Sequence, residues 1–319
     1  MKRHTLCVLG GTGFVGRHLV AQLAADGHRV RVPSRHRERH RELLVLPTVE
    51  VIDADVRDKG ALADLFQGCG VVINLVAILN ESRRARFRDV HVELPRRIVE
   101  ACRLTGVKRL LHMSALNANG SNGASDYLRS KGEGEDAVHA AAGEHFHVTS
   151  FRPSVIFGPD DHLFNRFARL LRMSPILPLP CPAARVAPVY IADVVQAMVS
   201  AIDDKRCYGQ RYELCGPRSY SMLELMRFTA QALGLKRNIV PLSKGMSRLQ
   251  ARVMQALPGR VFTLDNYRSL QVDGVCGGPF PEVFNVLPTS IEGVVPYYVG
   301  RRDQQALFAT IRTESRHDY

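Results

Sequence analysis

Thr5-Leu-Cys-Val-Leu-Gly10-Gly-Thr-Gly-Phe-Val-Gly16 is the stretch whose reading decides the fold. Thr5–Leu9 is a short apolar run closed by glycine, the pattern of a buried parallel strand. Arg17–Asp26 then reads as a helix with Leu19, Val20 and Leu23 on one face, ended by Gly27-His28. Between them, Gly11-x-Gly13-x-x-Gly16 satisfies GxGxxG, and Gly10-x-x-Gly13-x-x-Gly16 satisfies the GxxGxxG variant. Strand, glycine loop and helix in this order are the context a dinucleotide pyrophosphate needs. One glycine makes the tight turn, one lets backbone N–H groups approach phosphate, and one lets helix and strand pack closely. The helix N-terminus adds partial positive charge. The expected phosphate-facing residues are therefore Gly10, Gly11, Thr12, Gly13, Phe14, Val15 and Gly16.

Working outward, strand and helix patterns alternate. Strands are expected at Arg29–Val32, Val49–Ile52, Val71–Ala77, Arg109–Met113 and His147–Arg152. Helices are expected at Leu62–Phe66, at Phe87–Leu104 with Pro95 near its start or at a kink, and at Tyr127–Ala142. This alternation gives an α/β fold: a Rossmann-type, doubly wound parallel sheet with helices on both faces. Residues 1–155 are assigned to that nucleotide-binding unit. Residues 156–319 are assigned to a smaller C-terminal, substrate-side α/β region that interleaves with the sheet. There, Pro175–Pro188 reads as a loop, Ser221-Met-Leu-Glu224 as a capping-box helix start, and Ser247–Leu257 as a helix.

Composition bounds the function. The chain has 319 residues, 45% hydrophobic and 23% charged, which is ordinary globular composition and argues against disorder. No apolar run approaches the about 18–20 residues needed to cross a bilayer, and the basic N-terminus leads into a glycine turn instead of a signal core. A cytoplasmic protein is expected, with attachment at the inner face of a membrane as an alternative. Forty-three Lys and Arg against 31 Asp and Glu leave +12, which favours anionic partners. No aromatic stacking platform or basic nucleic-acid motif accompanies that charge, so no nucleic-acid partner is expected. Seven cysteines at irregular spacing form no zinc pattern; no metal site is expected, and the thiols read as buried and reduced.

The end of the second strand sets which nucleotide fits. NAD enzymes place a carboxylate there, about 20 residues past the glycine loop, on the ribose 2′-hydroxyl. This chain has Val32-Pro-Ser-Arg-His-Arg37, with no carboxylate before Glu38. Arg35 offers a planar fork suited to a 2′-phosphate, and Ser34 adds a hydroxyl. NADP(H) is therefore expected over NAD(H); the alternative reading of residues 35–41 is a solvated basic stretch. Asp55 and Val56, after the third strand, lie where a carboxylate could accept from the adenine amino group. Asn74, Val76 and Ala77 border the cleft at the end of the fourth strand.

Ser114, Tyr127 and Lys131 form the candidate catalytic set. Tyr127-x-x-x-Lys131 places both side chains on one helical face, one turn apart. An ammonium beside a phenol favours phenolate, lowering a pKa that starts near about 10. Such a tyrosine can exchange a proton with a substrate oxygen, while Ser114, closing the fifth strand, can hold that oxygen.

These segments, with Arg152-Pro-Ser-Val-Ile-Phe-Gly-Pro159, together resemble the extended and atypical short-chain dehydrogenase/reductases, the NAD-dependent epimerase/dehydratase superfamily. Tyr127–Glu135, Leu171–Pro178, Pro188–Val194 and Asp265–Gln271 are similar to the branch containing the NADPH-binding accessory subunit of respiratory complex I and its bacterial homologues. The resemblance implies a bound nicotinamide nucleotide, catalytic roles for Ser114, Tyr127 and Lys131, ribose contacts from Tyr127 and Lys131, and a nicotinamide-end wall from Arg152 and Pro153. Within the complex I branch it implies a structural nucleotide without turnover. The chain departs from the superfamily at Val90-His91-Val92, where an asparagine is common; His91 reads as packing or as a substitute relay.

Three function classes follow, the last of them, an RNA-binding or membrane-surface protein using the +12 charge, ranked below the two stated next. One is an NADP(H)-dependent oxidoreductase acting on a small or isoprenoid-like carbonyl or alcohol. The other is a non-catalytic, nucleotide-bound accessory protein associated with a respiratory complex, quinone metabolism or a membrane surface. Downstream, Asp193 is expected to satisfy N–H groups of its own helix, and the helix from Ser247, with Arg248, Arg252 and Arg260, reads as a solvated basic face or a lipid contact. Arg35→Asp is expected to reverse the ratio of NADPH to NADH affinity, measured by fluorescence titration of nucleotide-free protein; an unchanged ratio refutes the assignment of Arg35.

Overall fold

The structure, a computed structural model, describes residues 3–300 except 59, 83–84 and 257–261. The first half runs β1 (Thr5–Leu9), α1 (Phe14–Ala25), β2 (Arg29–Ser34), α2 (Arg41–Leu44), β3 (Val49–Asp53), α3 (Ala61–Phe66), β4 (Val71–Asn74), α4 (Leu94–Thr105), β5 (Arg109–Met113), α5 (Asp126–Ala140) and β6 (His147–Pro153). The second half runs β7 (Ile156–Phe157), α6 (Phe164–Met173), β8 (Ile176–Leu179), β9 (Arg185–Val186), β10 (Val189–Tyr190), α7 (Ile191–Ser200), β11 (Arg211–Leu214), β12 (Tyr220–Ser221), α8 (Met222–Ala232), β13 (Asn238–Pro241), α9 (Lys244–Ala256), α10 (Leu264–Ser269) and α11 (Val295–Val299).

Seven strands make one parallel sheet in the order β11-β6-β5-β4-β1-β2-β3. Strand alternation sorts its side chains onto two faces. Leu6 and Val8 of β1 join Leu19, Val20 and Leu23 of α1 and Val194 and Met198 of α7. Cys7 and Leu9 join Leu62 and Phe66 of α3, Ile98 and Cys102 of α4, and Val138 of α5. A third apolar cluster, with Phe157, Phe164, Leu171, Leu225 and Val295, holds the C-terminal elements together. The seventh strand, β11, comes from the second half and closes the sheet beside β6.

Several expectations need correction. Pro175–Pro188 is not a plain loop: β8 pairs with β13 and β9 with β12 across it, alternation at Ile176–Leu179 being enough for a short strand. β4 ends at Asn74, because Asn74 Oδ1 accepts from the Val76 N–H at 3.1 Å and takes it out of any ladder. Asp193 does not serve its own helix; its carboxylate accepts from Thr289 N at 2.7 Å and Thr289 Oγ1 at 3.1 Å. The reduced-thiol reading fails at Cys215 and Cys276, which form a disulfide; the other five cysteines are free and buried. Their 61-residue separation carries no local signal, and only the return of the chain across the end of β11 brings their Cα atoms to 6.0 Å. Leu257 and Arg260, read as part of a basic helix, lie outside the described residues.

Pro95 is accommodated by a change of helix type. Its ring would clash with the carbonyl four residues back in an α-turn, and residues Arg88–Glu93 are π-helical up to the start of α4. The His91 carbonyl lies against α5 at Gly134, where an added Cβ would stand 1.8 Å from the oxygen. Gly134→Ala is expected to cost about 3 kcal/mol or more of unfolding free energy in urea titration, whereas Gly143→Ala, which meets open space, should change it by less than about 0.5 kcal/mol.

Candidate nucleotide and catalytic site

Strand order reverses between β1 and β4, so the crevice beyond their C-terminal ends is the switch point where such sheets bind ligands. The glycine loop forms one wall. Gly10 has φ +78°, left-handed backbone that favours glycine, and its Cα faces the Leu75–Val76 backbone of the opposite wall closely enough that a Cβ would meet it at 3.1–3.2 Å. A Cβ on Gly16 would stand 2.2 Å from the Gly10 carbonyl, so only glycine lets α1 approach β1 this closely. Gly13 caps α1, and no side chain caps that helix. The first-turn N–H groups, at Phe14 and Val15 among others, are thus aimed out of the loop with no side-chain acceptor. An uncapped helix start behind a glycine cradle fits a dinucleotide pyrophosphate.

At the far end of the crevice, β2 and β3 finish side by side, with Ser34 opposite Asp53. Ser34 is buried and its Oγ accepts from the His36 N–H at 3.2 Å; Arg35 beside it is exposed. Asp55, expected to meet adenine, is held by Arg57, whose Nε reaches both carboxylate oxygens at 3.0 and 3.1 Å. Those bonds, with Arg35 nearby, hold the Asp55 carboxyl below the usual range. Val56 and Val76 pack against the apolar cluster under α3 and α4, and Ala77 is exposed. Asn74 is buried, and besides binding Val76 N it donates from Nδ2 to His112 Nδ1 at 3.2 Å. It shapes the cleft wall with both ends of its amide engaged.

The candidate catalytic pair lies on α5. Ser125 caps it, accepting from Leu128 N. Tyr127, Lys131 and Glu135 follow at four-residue spacing on one face. The Tyr127 ring is packed edge-on by Phe87 at 5.9 Å and His91 at 5.5 Å. Burial pushes its phenol up to about 12, opposite to the lowering expected from Lys131. Lys131 is engaged elsewhere: its Nζ donates to the Met113 carbonyl at the end of β5, and burial pulls its pKa down to about 8 against the opposing pull of Glu135. Tyr127 therefore stands protonated at neutral pH.

Ser114 closes β5 as expected and already has an internal partner. Its hydroxyl donates to Glu135 Oε2 at 2.7 Å, so its proton is already committed. Glu135 is 0% exposed and accepts again from Arg152 Nε at 2.9 and 3.0 Å, with Arg211 Nε at 3.5 Å. Arg152 is thus a partner of a buried carboxylate, and Pro153 lends its carbonyl to Leu116 N. Glu135 was not singled out from sequence, although its spacing from Tyr127 and Lys131 was a usable signal. Asp265 of α10 was also missed: it accepts from the backbone N–H groups of Asp126 at 2.7 Å and Tyr127 at 3.1 Å. Nothing local marks a contact across that sequence distance.

His91 is fixed by its bonds. Nε2 accepts from Ile78 N at 3.1 Å, which leaves the proton on Nδ1, 2.9 Å from Ser130 Oγ. The imidazole is neutral and ties the wall after β4 to α5. Burial, with Lys131 adding, lowers its pKa to about 3. Among the described residues no cluster of three or more His, Cys, Asp or Glu could hold a metal, and no helix is long and apolar enough to cross a membrane.

The sequence profile of the NAD dependent epimerase/dehydratase family matches residues 6–215, from β1 through β11. The chain belongs to that family. The chain is 35% identical over 227 residues to the mitochondrial "NADH dehydrogenase [ubiquinone] 1 alpha subcomplex subunit 9" of Mus musculus, covering 69% of this chain and 59% of that protein. It is 34% identical over 245 residues to the "Ceramide reductase" of Caulobacter vibrioides, covering 75% of this chain and 74% of that protein. In structure it resembles the UDP-glucose 4-epimerase of Thermotoga maritima, with a TM-score of 0.72 over 94% of this chain and 99% of that one at 18% identity, a likeness of fold alone. The glycine loop, α5 and β11 all fall inside the matched segment.

The buried imidazole gives the family fold here an acid-sensitive point. The unfolded His91 binds a proton below about pH 6.5, whereas the folded one resists it down to about 3. Stability contributed by the neutral ring is therefore complete above pH 6.5 and is lost as pH falls toward 3, at up to about 1.4 kcal/mol per pH unit. Urea midpoints between pH 7.5 and roughly 4.5 should fall in the native protein and fall less steeply in His91→Asn.

Proposed function

We propose that this protein is an NADP(H)-dependent oxidoreductase that reduces a carbonyl group on a small or lipid-like molecule. The observation that carries the reading is the placement of Tyr127 and Lys131 one turn apart on α5, with Lys131 Nζ bonded to the Met113 carbonyl at the C-terminal end of β5. A neutral phenol is a proton donor, which is what a carbonyl oxygen needs as its carbon is reduced. Family membership supports the nicotinamide nucleotide, and Ser34 with Arg35 at the end of β2, where no carboxylate stands, supports the 2′-phosphorylated form.

In this reading Gly10, Gly11, Thr12, Gly13, Phe14, Val15 and Gly16 hold the pyrophosphate. Ser34 and Arg35 face the 2′-phosphate, and Asn74, Val76 and Ala77 wall the cleft. When bound, the reduced nicotinamide supplies hydride to the carbonyl carbon. Tyr127 Oη gives its proton to the substrate oxygen, which becomes the alcohol hydroxyl. Lys131 spends one of its three N–H donors on Met113 and keeps two for the ribose and for the tyrosine oxygen. Its charge favours the phenolate left behind until solvent returns the proton. Ser114, its own proton given to Glu135, presents lone pairs that suit the hydroxyl of the alcohol better than the carbonyl.

A second reading, a nucleotide-bound accessory subunit, is favoured by the identity to complex I subunits, of which the mouse protein is one. The chain spans 59% of the length of that relative. Nucleotide exchange separates the two: NADPH that exchanges readily supports turnover, and tightly retained NADP(H) supports the accessory reading. Tyr127→Phe is expected to lower turnover on a screened carbonyl by about a hundredfold or more with NADPH affinity nearly unchanged. Equal turnover by the variant would refute Tyr127 as the proton donor.

A further inference from the structure

α9 is built inside out. Of its 13 residues only Ser247 and Ala251 are buried, a small polar and a small apolar side chain four residues apart. Met246, Leu249 and Val253 recur at three- and four-residue spacing on the opposite face and are 57%, 61% and 56% exposed. Lys244, Arg248 and Arg252, each exposed and each four residues from the next, run as a basic stripe along one flank. The ribbon leading into the helix adds exposed Val240 on β13 and Ile176 on β8, which pairs with it. A helix that stabilised the fold alone would turn Leu249 and Val253 inward. This one anchors through Ser247, whose Oγ accepts from Cys181 N at 3.1 Å, and presents its apolar side to whatever lies outside.

We propose that α9 is a docking face for an anionic lipid surface. An apolar band one helix wide, flanked by cations, is the form of a helix lying in the plane of a bilayer interface, with apolar side chains among acyl chains and arginines among headgroup phosphates. The basic stripe is the charge complement of such a surface, and the net charge of +12 has the same sign. The placement joins this face to the catalytic helix. Leu264 N at the start of α10 donates to Gln255 Oε1 of α9 at 3.1 Å, and Asp265 of α10 holds the Asp126 and Tyr127 N–H groups of α5. A bilayer seated on α9 lies one short helix from the Tyr127 end of the cleft. The substrate of the proposed reductase is then a membrane-borne amphiphile, a consequence that rests on the oxidoreductase reading, whereas the docking itself does not.

The test is co-sedimentation of the full-length protein with vesicles of phosphatidylcholine alone and of phosphatidylcholine with phosphatidylglycerol. Native protein is expected to partition onto the anionic vesicles, and Leu249→Asp/Val253→Asp to lose that by about tenfold or more with its thermal unfolding and NADPH titration unchanged. Arg248→Glu/Arg252→Glu should lose partitioning by roughly fivefold per residue, and added salt should weaken the native protein alike. Absent vesicle binding, or binding that both double variants retain, overturns the proposal. A self-association in sedimentation velocity that Leu249→Asp/Val253→Asp abolishes, without vesicle binding, overturns it in favour of a second copy on this face. Tyr127→Phe should dock like the native protein, so a failed docking and a failed reductase reading are separately visible.

Discussion

A single fully buried carboxylate, Glu135, fixes the geometry on which the site depends. It accepts three hydrogen bonds, one from Ser114 just past β5 and two from Arg152 of β6, with Arg211 of β11 at 3.5 Å. A charge at 0% exposure is tolerated only while such partners stay in place, because removing one leaves an uncompensated ion worth about 3–5 kcal/mol. Glu135 lies one turn past Lys131 and two past Tyr127 on the same helical face. Fixing it fixes the rotation of α5 and with it the direction in which the tyrosine and lysine point. The edge strand β11, delivered by the second half of the chain, therefore helps to hold the candidate site as well as the sheet.

Close backbone approach is the second constraint, and glycine is its instrument. Gly16 lets α1 sit on the β1 turn, and Gly134 lets α5 meet the π-helical segment where His91 turns its carbonyl toward it. His91 joins the wall after β4 to α5, and Asn74 joins β4 to His112 of β5. The cleft at the switch point is thus held by neutral polar groups whose partners are all internal. A ligand entering it meets a surface already organised by burial.

The reading from sequence was good where the signal is local. β1, the glycine loop, β5, the capping box at Ser221 and Glu224, and the alternation that makes a parallel sheet all rest on residues within a few positions of one another. It was weaker at boundaries set by side-chain capture, as at Asn74, whereas Pro95 does stand at the start of its helix. It missed what depends on distant neighbours. Nothing near Asp193 announces Thr289, nothing near Asp126 announces Asp265, and nothing near Cys215 announces Cys276.

The candidate site divides along the same line. The sequence by itself determined the doubly wound sheet, the glycine loop between β1 and α1, the absence of an acidic residue at the end of β2, and the shared face of Tyr127 and Lys131. Periodicity, backbone freedom and residue chemistry are carried by neighbours in the chain, and they act before any tertiary contact forms. Only the tertiary structure decided that Lys131 turns to the Met113 carbonyl, that the Ser114 hydroxyl donates its hydrogen bond to Glu135, that burial raises the Tyr127 phenol instead of lowering it, and that α9 faces its apolar side outward. Those outcomes are set by burial and by which partners lie within hydrogen-bond reach. Both are properties of three-dimensional neighbours that the order of residues along the chain does not state.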